Sequence, residues 1–256
     1  MIHYIEAGNS NNPAIVFLHG SPLSSRMWRM QMEELQGEYY CIAPDLPGHG
    51  KSAAEPFESA KKVAEKIAAI IEEKVPSKRA HVVGLSFGGV IAQAMMTHTP
   101  AVLNKVILSG TSAKLSPIMM KIQDLNKPFF KFLKPEQLAA LVAMQFAIPR
   151  QFREEFKQDF QEFSVSAFSQ MMDSYGTIES LAAVTVPFLA VAGSRETFVA
   201  KDMVRALIKD APHAKGGIVK DAGHVWNLQF PKLFSNMVRA FFSEEFLPFE
   251  ISSLNV

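Results

Sequence analysis

The chain has 256 residues, of which 48% are hydrophobic and 20% are charged, so it can bury one sizeable core. Its 26 Lys and Arg residues nearly balance its 25 Asp and Glu residues, and the net charge of +1 excludes a strong overall attraction to nucleic acid or to an anionic membrane. Partners of those two kinds are therefore not expected.

The compartment is suggested by three absences in the sequence. The one cysteine, Cys41, cannot form a disulfide within the chain. The first residues lack the basic stretch and the apolar run of a secretory signal. No apolar run approaches the roughly 20 residues that span a bilayer. Together these features predict a soluble protein of the cytoplasm.

Short apolar runs that end in Gly, Pro, Asp or Ser residues predict buried strands. Helix-length segments with helical apolar spacing lie between several of them. The strands are expected at 14–18, 40–43, 81–83, 102–108, 186–192 and 216–220, and the helices at 58–74, 199–209 and 232–242. Strands that alternate with helices predict an α/β fold with a mostly parallel sheet flanked by helices. The last residues, 247–256, lose periodicity and are expected to form a loose tail.

The alternation is interrupted between residues 113 and 183, where helical spacing replaces strand signals. Aromatic residues recur there at helical intervals, as in Phe152, Phe156, Phe160 and Phe163. The segment carries eight basic and eight acidic residues, so its surface favours no charged ligand. We therefore predict a core formed by 1–112 and 184–256, with 113–183 as a helical cap over an apolar pocket.

The sequence Gly84-Leu85-Ser86-Phe87-Gly88 follows a predicted strand and opens a predicted helix. A turn this tight leaves no room for a Cβ atom at either glycine and forces the serine into a sparsely populated conformation. The helix N-terminus that follows supplies N–H groups and a partial positive charge where an oxyanion would develop. This pattern predicts that Ser86 is a catalytic nucleophile.

A serine hydroxyl is a poor nucleophile at neutral pH, so a base within about 3 Å must remove its proton. Of the seven histidines, His224 is the best placed, because it follows the strand at 216–220 at the same carboxyl edge of the sheet as Ser86. His19 and His49 lie in glycine-containing loops and are expected to tie the backbone together. His224 is therefore the predicted general base.

Several segments in this order resemble the α/β-hydrolase family over nearly the whole chain. His19-Gly20-Ser21-Pro22 is similar to the family's oxyanion loop, and the segment 45–52 is similar to its loop after the next strand. The segment 193–196 is similar to the one that carries the triad acid, and Gly223-His224 to the one that carries the histidine. The chain order of serine, acid and histidine also fits the family.

The resemblance implies that Glu196 is the triad acid, although most relatives carry aspartate there. A carboxylate of either length can hold the imidazole in the correct tautomer. Asp202 is the alternative, but it lies within a predicted helix, where a solvated carboxylate is the simpler interpretation. The other position that some family members use, after the strand at 102–108, has no carboxylate.

The resemblance also implies an oxyanion hole formed by the backbone N–H groups of Ser21 and Phe87, with a cis peptide before Pro22. Trp28 and Trp226 are candidates for lining a substrate pocket, with core packing as the alternative. No cofactor is expected, and no metal-ligand motif such as His-Glu-x-x-His is present.

These residues predict a serine hydrolase that cleaves a small, largely apolar carboxylic ester or lactone through an acyl-enzyme on Ser86. Epoxide hydrolases and haloalkane dehalogenases share the His-Gly-x-Pro pattern but use aspartate as the nucleophile, so serine argues against both. Carbon–carbon bond hydrolysis and perhydrolysis stay open on the same triad. A ligand-binding receptor on this fold, with slow or no turnover, is the alternative from another class.

Overall fold

The structure is a computed structural model that describes residues 1–112, 134–164, 170–171, 174, 179–196, 200–209, 211 and 213–254. Its described strands are β1 (Tyr4–Ala7), β2 (Ala14–Leu18), β3 (Tyr40–Pro44), β4 (Ala80–Leu85), β5 (Leu103–Ser109), β6 (Phe188–Gly193), β7 (Ala214–Val219) and β8 (Ile251–Leu254). Its described α-helices are α1 (Arg29–Leu35), α2 (Ala60–Lys74), α3 (Phe87–His98), α4 (Pro135–Gln145), α5 (Arg153–Gln161), α6 (Ala200–Ile208), α7 (Trp226–Gln229) and α8 (Pro231–Phe242).

The strands form one sheet in the order β1-β3-β2-β4-β5-β6-β7-β8. The two outermost strands pair antiparallel with their neighbours, and the six strands between them run parallel. The prediction of a mostly parallel α/β sheet flanked by helices is confirmed. Because parallel strands all present their carboxyl ends at one edge, the loops after β2, β4, β6 and β7 meet there.

Two apolar clusters lie on opposite faces of the sheet, because successive strand residues point to opposite sides. Val82 belongs to the cluster that packs under α2, α3 and α6, whereas its neighbour Val83 belongs to the cluster under α1 and α8. Both valines are fully buried. Burial on both faces explains why the sequence shows these strands as continuous apolar runs.

The end of the chain differs from the prediction of a loose tail. Residues Ile251–Leu254 form the edge strand β8, which pairs antiparallel with β7 in the register Val219↔Ile251. Four residues are too few to show alternation, so periodicity did not reveal this strand, and the same holds for β1.

None of the described helices is long and apolar enough to cross a membrane.

The two tryptophans lie in an aromatic cluster on one face of the sheet. The Phe234 ring of α8 packs 4.5 Å from the Trp226 ring and 5.5 Å from the Trp28 ring, measured between centroids. The Trp28 ring also packs 5.2 Å from Phe17 of β2. All four side chains are fully buried, so this cluster joins α8, α7 and the loop after β2.

Removing the central ring of this cluster should destabilise the fold. We expect Phe234→Ala to lower the free energy of unfolding by about 3–5 kcal/mol, because it removes buried apolar surface and leaves a cavity. Urea denaturation followed by tryptophan fluorescence measures the change. Phe246→Ala is the matched control, since the Phe246 side chain is fully exposed, and it should shift stability by less than about 0.5 kcal/mol. Equal effects of the two substitutions would contradict the assigned core.

Candidate active site

Ser86 occupies the turn between β4 and α3, with φ 53° and ψ −116°. This is left-handed backbone that a non-glycine residue rarely adopts, and such strain persists only where the surroundings enforce it. The Ser86 N–H donates to the carbonyl oxygen of Ser109 at the end of β5 (2.9 Å), and the Ser86 carbonyl accepts from the N–H of Gly89 (2.9 Å). The sheet and the helix thus hold both ends of the strained residue.

The two glycines of the motif are required by close backbone contacts. A Cβ atom on Gly84 would lie 2.5 Å from the carbonyl oxygen of Gly88, and one on Gly88 would lie 2.1 Å from the carbonyl oxygen of Leu18. Real Cβ atoms do not approach backbone this closely, so any side chain would displace β2 or the start of α3. The prediction that both positions exclude a side chain is confirmed.

His224 lies in the loop after β7, and its Nδ1 atom is 2.5 Å from Oε1 of Glu196, which follows β6. An ionised carboxylate can only accept this hydrogen bond, so Nδ1 of His224 carries a proton and donates it to Glu196. The Glu196 side chain is 4% exposed and the His224 side chain 17% exposed. The imidazole is therefore held at Nδ1 by a buried carboxylate.

The two candidate acids differ clearly in their surroundings. Asp202 lies in α6 with its side chain 73% exposed, and its carboxylate accepts from the guanidinium of Arg205 at 3.1 Å. Within the described residues, Glu196 is the carboxylate that contacts His224.

Gly110, directly after β5, makes room for the longer glutamate. Its φ is +56°, and a Cβ atom there would lie 2.6 Å from Oε1 of Glu196 and 3.0 Å from Nδ1 of His224. In the sequence, this position is notable only for its lack of a carboxylate. The missing side chain leaves space that the Glu196 carboxylate, from the loop after β6, occupies. A glycine directly after a buried strand was the available signal.

The loop after β2 approaches the nucleophile closely. A Cβ atom on Gly20 would lie 3.1 Å from Cβ of Ser86, and the peptide between Ser21 and Pro22 is cis, which confirms that expectation. Ser21 faces the pocket described below, and Phe87 begins α3 with its ring buried 5.6 Å from the Phe57 ring. The two residues whose N–H groups were predicted to form the oxyanion hole thus lie on the two segments that flank Ser86.

Two buried histidines hold this loop in place. His19 Nε2 accepts from the Leu46 N–H (2.8 Å), so its Nδ1–H donates to the Gly20 carbonyl (3.0 Å). His49 Nδ1 lies 3.1 Å from the Pro47 carbonyl and must donate, so its Nε2 accepts from the Ser21 hydroxyl (3.0 Å). Both rings are fully buried, as expected for histidines that tie backbone together.

Burial makes both of these rings neutral at physiological pH. Desolvation lowers the pKa of His19 to about 4. Desolvation, together with the neighbouring His19, lowers the pKa of His49 to about 3. A protonated His19 ring would lose the nitrogen that accepts from the Leu46 N–H, and a protonated His49 ring would have to donate to the Ser21 hydroxyl and no longer accept from it.

A small pocket with about 240 Å³ of empty space opens above Ser86. Its described lining is mostly apolar and comes from the core loops and from α4 and α5. The lining residues are Gly20, Ser21, Pro22, Leu23, Leu85, Ser86, Val142, Phe146, Phe156, His224 and Val225. Ser86 and His224 therefore face one cavity, although no hydrogen bond joins the Ser86 hydroxyl to the imidazole among the described contacts. Such bonds commonly shorten only when a substrate binds.

Trp28 and Trp226 do not match the prediction that they line the pocket. Both indoles are fully buried in the aromatic cluster around Phe234, and neither belongs to the described pocket lining. The Trp226 Nε1–H donates to the hydroxyl of Ser109 (3.0 Å). The backbone carbonyl of the same serine accepts from the Ser86 N–H. The spacing of aromatic residues in a sequence cannot distinguish a side chain that packs in the core from one that lines a pocket. Here the packing against Phe234 places both tryptophans in the core.

A partly buried ionic cluster connects α5 to the loop after β2. The Asp159 carboxylate accepts from the Ser24 hydroxyl (2.6 Å) and from the Arg26 guanidinium (2.6 Å), which also donates to Glu162 (2.8 Å). Burial raises the pKa of Asp159 to about 6 even with Arg26 beside it. No local sequence pattern links these residues, because Asp159 lies more than 130 positions from Ser24 and Arg26.

Within the residues that the structure describes, no three His, Cys, Asp or Glu side chains gather in a group that could hold a metal ion. The predicted cap begins at residue 113, outside the described ranges, and ends at residue 183, within them. Val199, where the α6 segment was expected to begin, also lies outside the described ranges. The cap division stays a prediction.

The model of the alpha/beta hydrolase family matches residues 15–236, so the chain belongs to this family. The chain is 22% identical over 250 residues to 3-oxoadipate enol-lactonase 2 from Acinetobacter baylyi, covering 93% of this chain and 92% of that one. It is 26% identical over 240 residues to the pimeloyl-(acyl-carrier protein) methyl ester esterase of Vibrio atlanticus, covering 84% and 89%. A thermophilic esterase from Thermogutta terrifontis superposes with a TM-score of 0.80 at 22% identity, covering 95% and 93%, which supports the fold.

The buried neutral histidines predict acid sensitivity of the fold. Both rings titrate near 6.5 when unfolded but near 4 and 3 when folded, so between these values the unfolded chain binds more protons. Their contribution to stability is complete above pH 6.5 and is lost as the pH falls through this window. Between pH 7 and pH 5 we expect each ring to remove about 2 kcal/mol from the free energy of unfolding.

Urea denaturation of the His49→Gln variant at both pH values tests this expectation. The variant should lose about 2 kcal/mol less than the native chain between pH 7 and pH 5. The quantity compared is the change in the free energy of unfolding between pH 7 and pH 5, here called the slope. Asp159, with its raised pKa, contributes to this slope with the opposite sign in both proteins, so its contribution cancels in the comparison. His213→Gln, at an exposed ring, is the control and should leave the slope unchanged. Parallel slopes for the native chain and His49→Gln would contradict the assignment.

Proposed function

We propose that the protein is a serine hydrolase that cleaves a small, largely apolar carboxylic ester or lactone through an acyl-enzyme on Ser86. One observation carries the proposal: a strained serine at a helix N-terminus shares a pocket with an imidazole whose Nδ1–H is bound by the buried carboxylate of Glu196. Relatives named for lactone and ester hydrolysis support the same reaction class.

In the first half of the proposed reaction, the Ser86 oxygen attacks the carbonyl carbon of the substrate while Nε2 of His224 accepts the hydroxyl proton. Glu196 keeps the ring in the tautomer that leaves Nε2 free to do so and stabilises the imidazolium that forms. The N–H groups of Ser21 and Phe87 stabilise the negative charge on the former carbonyl oxygen, a contribution of about 3–4 kcal/mol for each donor. The tetrahedral intermediate then collapses, and His224 returns the proton to the departing alcohol oxygen.

In the second half, Nε2 of His224 accepts a proton from a water molecule that attacks the acyl-enzyme. The carboxylic acid leaves when the ester bond to Ser86 breaks and the imidazole reprotonates the serine. For a lactone the alcohol and the acid belong to one product molecule. The same groups therefore serve both halves of the cycle with their proton roles exchanged.

The substrate class follows from the lining of the pocket. Its described side chains include Leu23, Val142, Phe146 and Phe156 and no Lys, Arg, Asp or Glu residue. A free charge on the substrate would lose hydration there without gaining a partner from the described residues.

Replacing the nucleophile tests the proposal and separates it from a receptor function. We expect Ser86→Ala to lower kcat/KM on an ester and lactone panel by about 10⁴-fold or more, because the covalent step is lost. A fluorophosphonate probe should label the native chain stoichiometrically and the variant not at all. An equal melting temperature of the two proteins controls for folding. Ligand-induced stabilisation without turnover or labelling of the native chain would favour the receptor.

Exchanging the acid tests the role of Glu196 against that of Asp202. Glu196→Gln should lower kcat by roughly 10³- to 10⁴-fold, because an amide N–H can donate to Nδ1 and hold the ring in the wrong tautomer. Asp202→Asn is the matched control at an exposed site and should keep kcat within about twofold. A large loss with Asp202→Asn and a small one with Glu196→Gln would reverse the assignment.

A further inference from the structure

Gln229, the last residue of α7, bridges the His224 loop and α4. Its Oε1 atom accepts from the N–H of Gly223 at 2.9 Å, and its Nε2 atom donates to the carbonyl oxygen of Phe146 at 3.1 Å. A backbone N–H can only donate and a carbonyl can only accept, so the orientation of the amide is determined. One side chain thus contacts the residue before the imidazole and the residue that follows α4.

Phe146 in turn covers the imidazole. Its ring stacks on the His224 ring with 4.8 Å between centroids and 30° between planes, and both side chains line the pocket above Ser86. The stacked Phe146 ring blocks movement of the imidazole toward that face. The hydrogen bond from Nδ1 to Glu196 restricts its rotation in the plane of the ring. Two separate contacts are therefore needed to define the direction of Nε2.

The end of α4 presents the Phe146 carbonyl to Gln229 through an unusual turn. Ala147 has φ +49°, and the Ile148 N–H reaches back to the Ala143 carbonyl at 2.8 Å, which closes the helix in a Schellman-type turn. Left-handed backbone at alanine is strained and persists where other contacts enforce it. The hydrogen bond from Gln229 is one such contact.

We propose that Gln229 is a positioning residue, which holds Phe146 stacked on His224 and so sets the direction of the imidazole toward Ser86. The inference rests on the proposed function. Gln229 does not belong to the described pocket lining, so it acts through Phe146 and Gly223 rather than on the substrate. Its loss should therefore reduce kcat more than it raises KM, because ring orientation matters in proton transfer and little in ground-state binding.

A double-mutant cycle tests this coupling. Gln229→Met keeps the length of the side chain and removes both hydrogen bonds, whereas Phe146→Leu removes the stack and leaves the backbone carbonyl for Gln229. Each single variant should lower kcat/KM by about 10-fold, since small displacements of a catalytic group have effects of this order or larger. Because both substitutions act through one contact, kcat/KM of the double variant should lie within about twofold of that of the more impaired single variant.

Gln161→Met is the control for the chemical change, because it removes an exposed hydrogen bond to Glu136 between α5 and α4 and should leave kcat unchanged. A double variant whose kcat/KM is about 100-fold lower, the product of two independent 10-fold effects, would overturn the coupling. A Gln229→Met variant with native kcat would overturn it as well. If Gln229→Met fails to fold, Phe146→Leu alone must still lower kcat, and a native kcat there overturns the proposal. A native chain that neither turns over esters nor labels at Ser86 overturns the proposed function itself, whereas the outcomes above leave it standing.

Discussion

The strained turn at Ser86 is the constraint around which the rest of the molecule is arranged. A non-glycine residue at φ 53° is unfavourable on its own, so neighbouring segments must hold it from every side. Gly88 packs against β2, Gly20 packs against Ser86, and Ser109 accepts the Ser86 N–H. The sheet is therefore both the source of the rigidity and the reason that the hydroxyl meets the pocket.

Three histidines near this edge of the sheet have different roles because their partners differ. His19 and His49 are buried among backbone groups and a hydroxyl, so the charged form of each ring is disfavoured and each serves as a fixed neutral connector. His224 instead donates its Nδ1–H to the carboxylate of Glu196 and lines the pocket above Ser86. The same side chain is thus structural at two positions and, in the proposed mechanism, a base at the third.

The helices over the pocket are joined to the core at the segments that form the site. Asp159 of α5 binds Ser24 and Arg26 after β2, and Phe146 after α4 is held by Gln229 and stacks on His224. A movement of these helices would therefore disturb the loop after β2 or the imidazole, so the shape of the pocket and the geometry of the proposed catalytic groups are coupled. Selectivity for substrates and the rate of reaction need not vary independently in such an arrangement.

Local patterns in the sequence determined the parallel α/β sheet, the glycines around Ser86, the histidine after β7 and the connecting roles of His19 and His49. These features depend on short-range sterics and on the periodicity of buried segments, which a sequence displays directly. The family resemblance added the cis peptide before Pro22. Short edge strands such as β8 lie below what periodicity can detect.

The family resemblance favoured Glu196 over Asp202, but only the tertiary structure brings Glu196 to His224, in the space that Gly110 leaves, and places Asp202 at the surface. It also assigned Trp28 and Trp226 to the core, since packing against Phe234 is a contact between distant segments. The bridge from Gln229 to Phe146 joins residues 83 positions apart. Contacts of this kind depend on how loops from separate strands meet in space, and no local pattern of residues encodes that meeting.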